Sequence, residues 1–473
     1  MEQKASAALD RRSFLRNLGL GGGVLTLGPL AAAIAREAGP MHGPVNGKYD
    51  FDVPFNRIGS DCWKWDGALR DEKMSHIVAG MGIADMDFRC GPFITAALAK
   101  RIQHENWGYF DMASPTGKAL IESIIDWHRR RHGIHVITPG NLAFTVGVHA
   151  GLMDALRALS PAGGKVLMLA PAYVGFYEDL VSSRMIANES PMTIANGRYE
   201  IDWDDLERRM TPDTRVTILC NPHNPVGRVW SKAELARYGE LCLKHKIVVL
   251  SDEIHCEFVS KGQAFTPFST LEDKKVVNNS ITFTSTSKSF SLGSLNLAWY
   301  FTTNKDLFRE VQSFDRNLTD IPSLSIAAAH AALDSGEAWL DQLVAYIDAN
   351  HDFVDQYVGA NIPMIELGAK PEGTFLRWLD VSAIAEKIGA RKMADAENKK
   401  PRPIDAETGK APIVSPEDMV GHWFARNAFV ALDPGSLYGP KGAGHMRMNI
   451  ATSRRTLKAA LDSMAAATRK ISS

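Results

Sequence analysis

The chain has 473 residues, 45% of them hydrophobic and 23% charged, with 53 lysines and arginines against 54 aspartates and glutamates. That length exceeds one ordinary core and predicts a larger and a smaller domain, while the charge balance gives no electrostatic footing for nucleic acid or an anionic membrane. Five cysteines (Cys62, Cys90, Cys220, Cys242 and Cys256) form no CxxC pair, which argues against a disulfide framework or a zinc site and for folding in a reducing compartment.

At the N-terminus, Asp10-Arg11-Arg12-Ser13-Phe14-Leu15-Arg16 precedes a Gly-rich apolar stretch and then Ala33-Ile34-Ala35. This order resembles a twin-arginine export signal over residues 1–35, and predicts an exported, periplasmic protein; the alternative is a cytoplasmic protein with an N-terminal tail. Export by that route carries folded proteins, which reconciles secretion with reduced cysteines. No later segment reaches the roughly 20 apolar residues of a spanning helix, so no membrane association is expected after signal removal.

Residues 36–94, rich in Gly, Pro and aromatics, read as an arm that contributes to the smaller domain. Across 95–335, short apolar runs recur at 142–146, 165–169, 216–220, 247–250, 281–284 and 297–301. They are continuous rather than alternating, as in strands buried on both faces. Helices are predicted between them at 150–159 and 231–245, the second capped by Ser231. The class is α/β with a mostly parallel sheet, whose ligands gather beyond the carboxyl ends of the strands. From 336 a helix at 339–358, strand-like runs at 375–379 and 446–450, and a last helix from about 454 form a smaller domain, 336–473. Within it, 388–415 is polar and aperiodic and reads as an exposed insertion, a functional lid being the alternative. Arg129-Arg130-Arg131-His132 reads as a solvated helix face.

Three strand ends carry the chemistry. Asn221-Pro222-His223-Asn224-Pro225-Val226-Gly227 follows one apolar run, Asp252-Glu253-Ile254-His255 ends another, and TSTSKSFSLGS (284–294) places Lys288 just past a third. Singly these are a turn, a strand-end carboxylate and a lysine. Together they aim an amide, a carboxylate and an amine at one crevice. The Gly-x-x-x-x-Gly-Lys pattern of a phosphate loop is absent, so an imine-forming cofactor fits better. Pyridoxal phosphate needs such a lysine, a carboxylate for its ring nitrogen and donors for its phosphate.

With GIADMDF (82–88), APAY (170–173), CNPHNPVGRVW (220–230), SDEIHCEF (251–258) and STSKSF (285–290), the chain resembles the fold-type I pyridoxal-phosphate enzymes of the aminotransferase class I/II superfamily over about 49–454. It is most similar to the cystathionine beta-lyase, or cysteine-S-conjugate beta-lyase, subfamily. The resemblance implies a large domain with a mostly parallel seven-stranded sheet and a smaller α/β domain. It implies that Lys288 holds the cofactor as a Schiff base, Asp252 pairs with its ring nitrogen, Asn224 bonds its 3'-oxygen and Tyr173 stacks on its face. The phosphate would lie at the helix start formed by Gly147, Val148 and His149, with hydroxyls from Ser285 and Ser287. Tyr109 matches the tyrosine that one subunit of a homodimer lends to the other's phosphate. Arg447 would grip the α-carboxylate of an amino-acid substrate, beside Ala84. Two positions depart from the aspartate aminotransferase pattern: His255 stands for a tyrosine, as in the beta-lyases, and Asn296 for the arginine that binds phosphate.

The freed lysine would then take the α-proton. If the substrate carries a β-thiolate, elimination follows; if the proton returns to the cofactor, transamination does. A third reading, a ligand-sensing domain of a transcription regulator, lacks any recognition helix or basic face ahead of the domain.

Overall fold

The computed structural model describes residues 43–315, 321–404 and 411–472. The export-signal reading falls on 1–35 and lies outside them. Seven strands form the large sheet: β1 (Leu142–Thr145), β2 (Lys165–Ala170), β3 (Ile186–Pro191), β4 (Thr214–Cys220), β5 (Val248–Asp252), β6 (Ser280–Thr284) and β7 (Ala298–Phe301), in the order β1-β7-β6-β5-β4-β2-β3. Only β7 runs antiparallel to its neighbours. The mostly parallel seven-stranded sheet is therefore as expected, and six of its strands coincide with the six apolar runs. The seventh, β3, lies at an edge with mainly exposed or half-buried residues, so it carried no apolar run to find.

Successive residues of these strands enter different cores. Leu250 and Ile281 pack with Leu152 and Phe176 on one face, while Val249 and Leu219 pack with Trp230 and Tyr238 on the other. Two-sided burial, with alternate side chains turned opposite ways, is why the runs are continuous in sequence. Helix α1 (Val148–Leu159) follows β1. Helix α2 (Lys232–Lys244) opens on a capping box in which Ser231 accepts from the Glu234 N–H and the Glu234 side chain accepts from the Ser231 N–H.

Helix α3 (Glu337–Asn361) leads into a four-stranded sheet of β8 (Glu366–Leu367), β9 (Leu376–Asp380), β10 (Asp433–Pro434) and β11 (His445–Asn449), in the order β8-β9-β11-β10. Ala79–Gly80 of the N-terminal arm pairs with Val430–Ala431 beside it. The last helix is Arg454–Ser472, and no helix among the described residues is long and apolar enough to cross a membrane.

Two expectations change. The stretch 388–415 is not wholly an exposed insertion, because Ala390–Asn398 is a helix whose Ala390 and Ala394 are buried with Val420 and Phe424. Small residues at i and i+4 let that helix lie close, a packing signal hidden by its polar neighbours. Nor is Arg129–His132 simply solvated. Arg129 and Arg130 meet Asp126 at the surface, whereas Arg131 and His132 turn inward to the buried Glu257, at 3.0 and 2.9 Å.

Candidate active site

The parallel register sets the site. Cys220 is paired with Asp252 and Asp252 with Phe283, so β4, β5 and β6 end side by side. The groups at these three ends therefore meet above the sheet: the Asn221–Gly227 turn, Asp252 itself, and the one-turn helix Thr286–Ser289 that carries Lys288. The turn closes through the His223 N–H donating to the Arg228 carbonyl at 2.7 Å. Gly227 sits at φ +72°, with Pro371 and the Gly373 carbonyl where a β-carbon would go, so only glycine fits.

Lys288 donates from Nζ to the Ala84 carbonyl at 2.8 Å. Burial pushes its amine down to about 8, helped by Arg447 and opposed by Asp85 and Asp252. Asp252 is buried, and that burial pushes its carboxyl up to about 6, against the Ile254 N–H that donates to it at 3.1 Å and against the fields of His149 and Lys288. His255 is buried edge-on against Phe375, ring centroids 5.4 Å apart, and its Nδ1 has no partner among the described residues. Burial, then Lys288 and Arg447, hold it well below the usual histidine range, so it is neutral.

Arg447, on β11, is buried. It donates to Asn224 Oδ1 at 3.2 Å, to the Gly82 carbonyl at 3.0 Å and to Asp433 at 2.5 Å, with the Tyr438 ring 5.0 Å from its guanidinium carbon. The GIADMDF segment is what joins arginine to lysine, since its Gly82 and Ala84 carbonyls accept from one and the other. Neighbouring side chains anchor it. Asn449 Nδ2 donates to the Ile83 and Asp85 carbonyls, both at 2.7 Å, and the buried Asp87 accepts from Lys64 at 2.8 Å and from Trp65 at 2.9 Å.

On the opposite wall, Gly147 precedes α1, Val148 is its first buried residue, and His149 on its first turn bonds Asp179 through Nδ1 at 2.8 Å. Burial works against protonation of His149, but Asp179 and Asp252 overcome it and raise its pKa. The His149 ring lies 5.6 Å from that of Tyr173, whose hydroxyl burial pushes up to about 12.

Other expected positions sit differently. The hydroxyl of Ser285 donates to the Leu297 carbonyl at 2.6 Å and accepts from the Ser287 N–H at 2.9 Å. Its one proton is committed to the main chain, so as placed it is a helix cap and not a phosphate donor. Ser287 is half-buried on the same turn. Asn296 is exposed and left-handed, at φ 47° and ψ 64°, a conformation that asparagine tolerates better than arginine. Tyr109 stands 95% exposed on the loop after the helix Pro92–Ile102. Asp433, Tyr438 and Asp179 escaped the sequence reading. Each is an ordinary residue locally, and only the partner that folding brings against it marks it.

The chain belongs to the aminotransferase class I and II family, whose sequence pattern matches residues 77–408. The cystathionine beta-lyase PatB of Bacillus subtilis is 32% identical over 88% of this chain and 99% of its own. A crystal structure of a PLP-bound putative aminotransferase from Clostridium difficile is 29% identical and superposes with a TM-score of 0.77 over 89% of this chain and 100% of its own. The PLP-bound C-S lyase from Staphylococcus hominis is 26% identical, with a TM-score of 0.74 over 89% and 98%.

Proposed function

We propose that the protein is a pyridoxal-phosphate-dependent carbon-sulfur beta-lyase that cleaves cystathionine or a cysteine S-conjugate to pyruvate, ammonia and a thiol. The observation that carries this reading is the meeting of Lys288, Asp252, Asn224 and Arg447 beyond three adjacent strand ends. The names of the Bacillus subtilis PatB and the Staphylococcus hominis C-S lyase favour elimination over transamination, and that of the Clostridium difficile protein favours the reverse.

The residues present fit the cofactor. A buried carboxylate at a strand end suits the ring nitrogen, the amide nitrogen of Asn224 has no hydrogen-bond acceptor among the described residues while its oxygen accepts from Arg447, and the α1 N-terminus suits a phosphate. When bound, pyridoxal phosphate supplies the electron sink that stabilises charge on the substrate's Cα. Lys288, with its amine depressed to about 8, keeps a neutral fraction near neutral pH and takes the α-proton. Asp252 as a carboxylate keeps the ring nitrogen cationic. Arg447 would hold the α-carboxylate and so orient the substrate towards Lys288. Loss of the β-thiolate breaks the C–S bond, and water then releases pyruvate and ammonia.

The twin-arginine reading rests on residues 10–35 and supports an exported protein. The homodimer reading rests on the match of Tyr109 to the tyrosine that such dimers lend to the neighbouring subunit, and the 95% exposure of Tyr109 supports it. The test of the activity is a substrate panel scored for pyruvate and ammonia without any 2-oxo acid, with Lys288→Ala as the inactive control. Turnover that depends strictly on an amino acceptor overturns the lyase reading in favour of an aminotransferase.

A further inference from the structure

Asp433 and Arg447 are directly opposite each other on β10 and β11, so their side chains share one face of the small sheet. Nη2 of Arg447 spends both its protons, one on the Gly82 carbonyl at 3.0 Å and one on Asp433 Oδ2 at 2.5 Å. Nη1 donates to Asn224, and Nε has no partner among the described residues. Asp433 Oδ2 also accepts from the Tyr438 hydroxyl at 3.1 Å, and this tyrosine's ring lies under the guanidinium. Asp433 Oδ1 occupies the space that a β-carbon on Gly82 would take, so the glycine is what lets the carboxylate approach.

A carboxylate grips arginine best through two parallel N–H groups. Here Nη2, which both forks that reach it require, is already filled. An unpaired cation in so buried a place would be costly, and Asp433 offsets that cost while the site is empty. Resting on the reading that Arg447 receives the substrate's α-carboxylate, we propose that Asp433 is an affinity-setting residue: an internal carboxylate seated on Arg447 that the substrate's own carboxylate must displace. Displacement exchanges one carboxylate for another on the same guanidinium. Asp433 therefore weakens acid binding, and gives no such exchange to a ligand whose carboxylate is replaced by a neutral group.

The test is a titration of the pyridoxal-phosphate holoenzyme with L-alanine, which has no β leaving group, followed by the visible absorbance. Asp433→Asn should bind L-alanine about tenfold more tightly, on the scale of one charge-assisted hydrogen bond, and bind L-alaninamide as the wild type does. Gly82→Ala, which crowds the Asp433 carboxylate without removing it, should move L-alanine affinity the same way and guards against a misfolded Asp433 variant. Unchanged or weaker L-alanine binding in both variants overturns the proposal and makes Asp433 a residue that orients the arginine. A wild type that responds to neither ligand overturns the underlying active-site reading as well.

Discussion

Asp252 shows how a residue is held ready for a partner at a cost to the fold. Its carboxyl is raised to about 6 from an ordinary 3.8, chiefly by burial. Because the folded value lies above the unfolded one, the neutral form is the one the fold prefers. Its contribution is therefore most favourable below about pH 4 and is lost as the pH rises through about 6, a penalty on the order of 3 kcal/mol near neutrality. Cofactor-free Asp252→Asn should accordingly melt at a higher temperature than cofactor-free wild type at about pH 8, with the gap closing towards about pH 4. Equal melting temperatures at both pH values would mean that burial does not strain this carboxylate. The same substitution removes the group that keeps the cofactor's ring nitrogen cationic, so the stabilised variant should also be a poor enzyme.

At the scale of elements, the helix Pro115–His132 is fastened by its C-terminal end. Glu257 accepts from Trp127 Nε1 at 2.7 Å and pairs with Arg131 and His132. Burial alone would raise this carboxyl, but its contacts with His132 and Arg131 and the hydrogen bond from Trp127 hold it down at about 2. A depressed folded value gives stability that is present above about pH 4.5 and lost as the pH falls towards about 2. Glu257→Ala leaves the buried Trp127 N–H and the His132 ring without this partner, while Arg131 keeps Glu337 and Asp341, and should cost about 3 kcal/mol, read as a fall in the urea midpoint at neutral pH. A loss under about 0.5 kcal/mol would show that water replaces the carboxylate fully. Sequence patterning caught this helix's charges but took them all as solvated, because polarity does not say which of four adjacent side chains faces inward. It did better where the code is local. Ser231 caps its helix as read, and the structure adds the Glu234 side chain that closes the cap into a capping box.

For the whole molecule, the shared-site reading makes a quantitative prediction. If Tyr109 completes the neighbouring subunit's site, Tyr109→Ala and Lys288→Ala are each inactive alone. Refolded together at equal amounts they should recover about a quarter of wild-type activity, since half the dimers are mixed and each holds one intact site. No recovery from a mixture that sediments as dimers would confine every catalytic residue to one chain. The export reading is checked in the same preparation: cell fractions should hold a periplasmic form shortened by about the length of 1–35, and a full-length cytoplasmic protein would refute it.

Much of this protein is set by short-range pattern alone. The two-sided strands show as continuous apolar runs, and the residues that end them, Asn224, Asp252 and Lys288, are legible because a parallel sheet gathers its strand ends at one edge. What only the tertiary structure decides is who meets whom across long separations. Arg447 finds Asn224 from 223 residues away and the Gly82 carbonyl from 365, and no local period encodes either contact. Ser285 became a cap, Asn296 a left-handed turn residue, and Asp433 a rival for the arginine, because hydrogen-bond partners are set by packing. Local pattern determines which elements form and where reactive groups stand along them; which of those groups remains open to a substrate depends on neighbours that only the folded chain brings together.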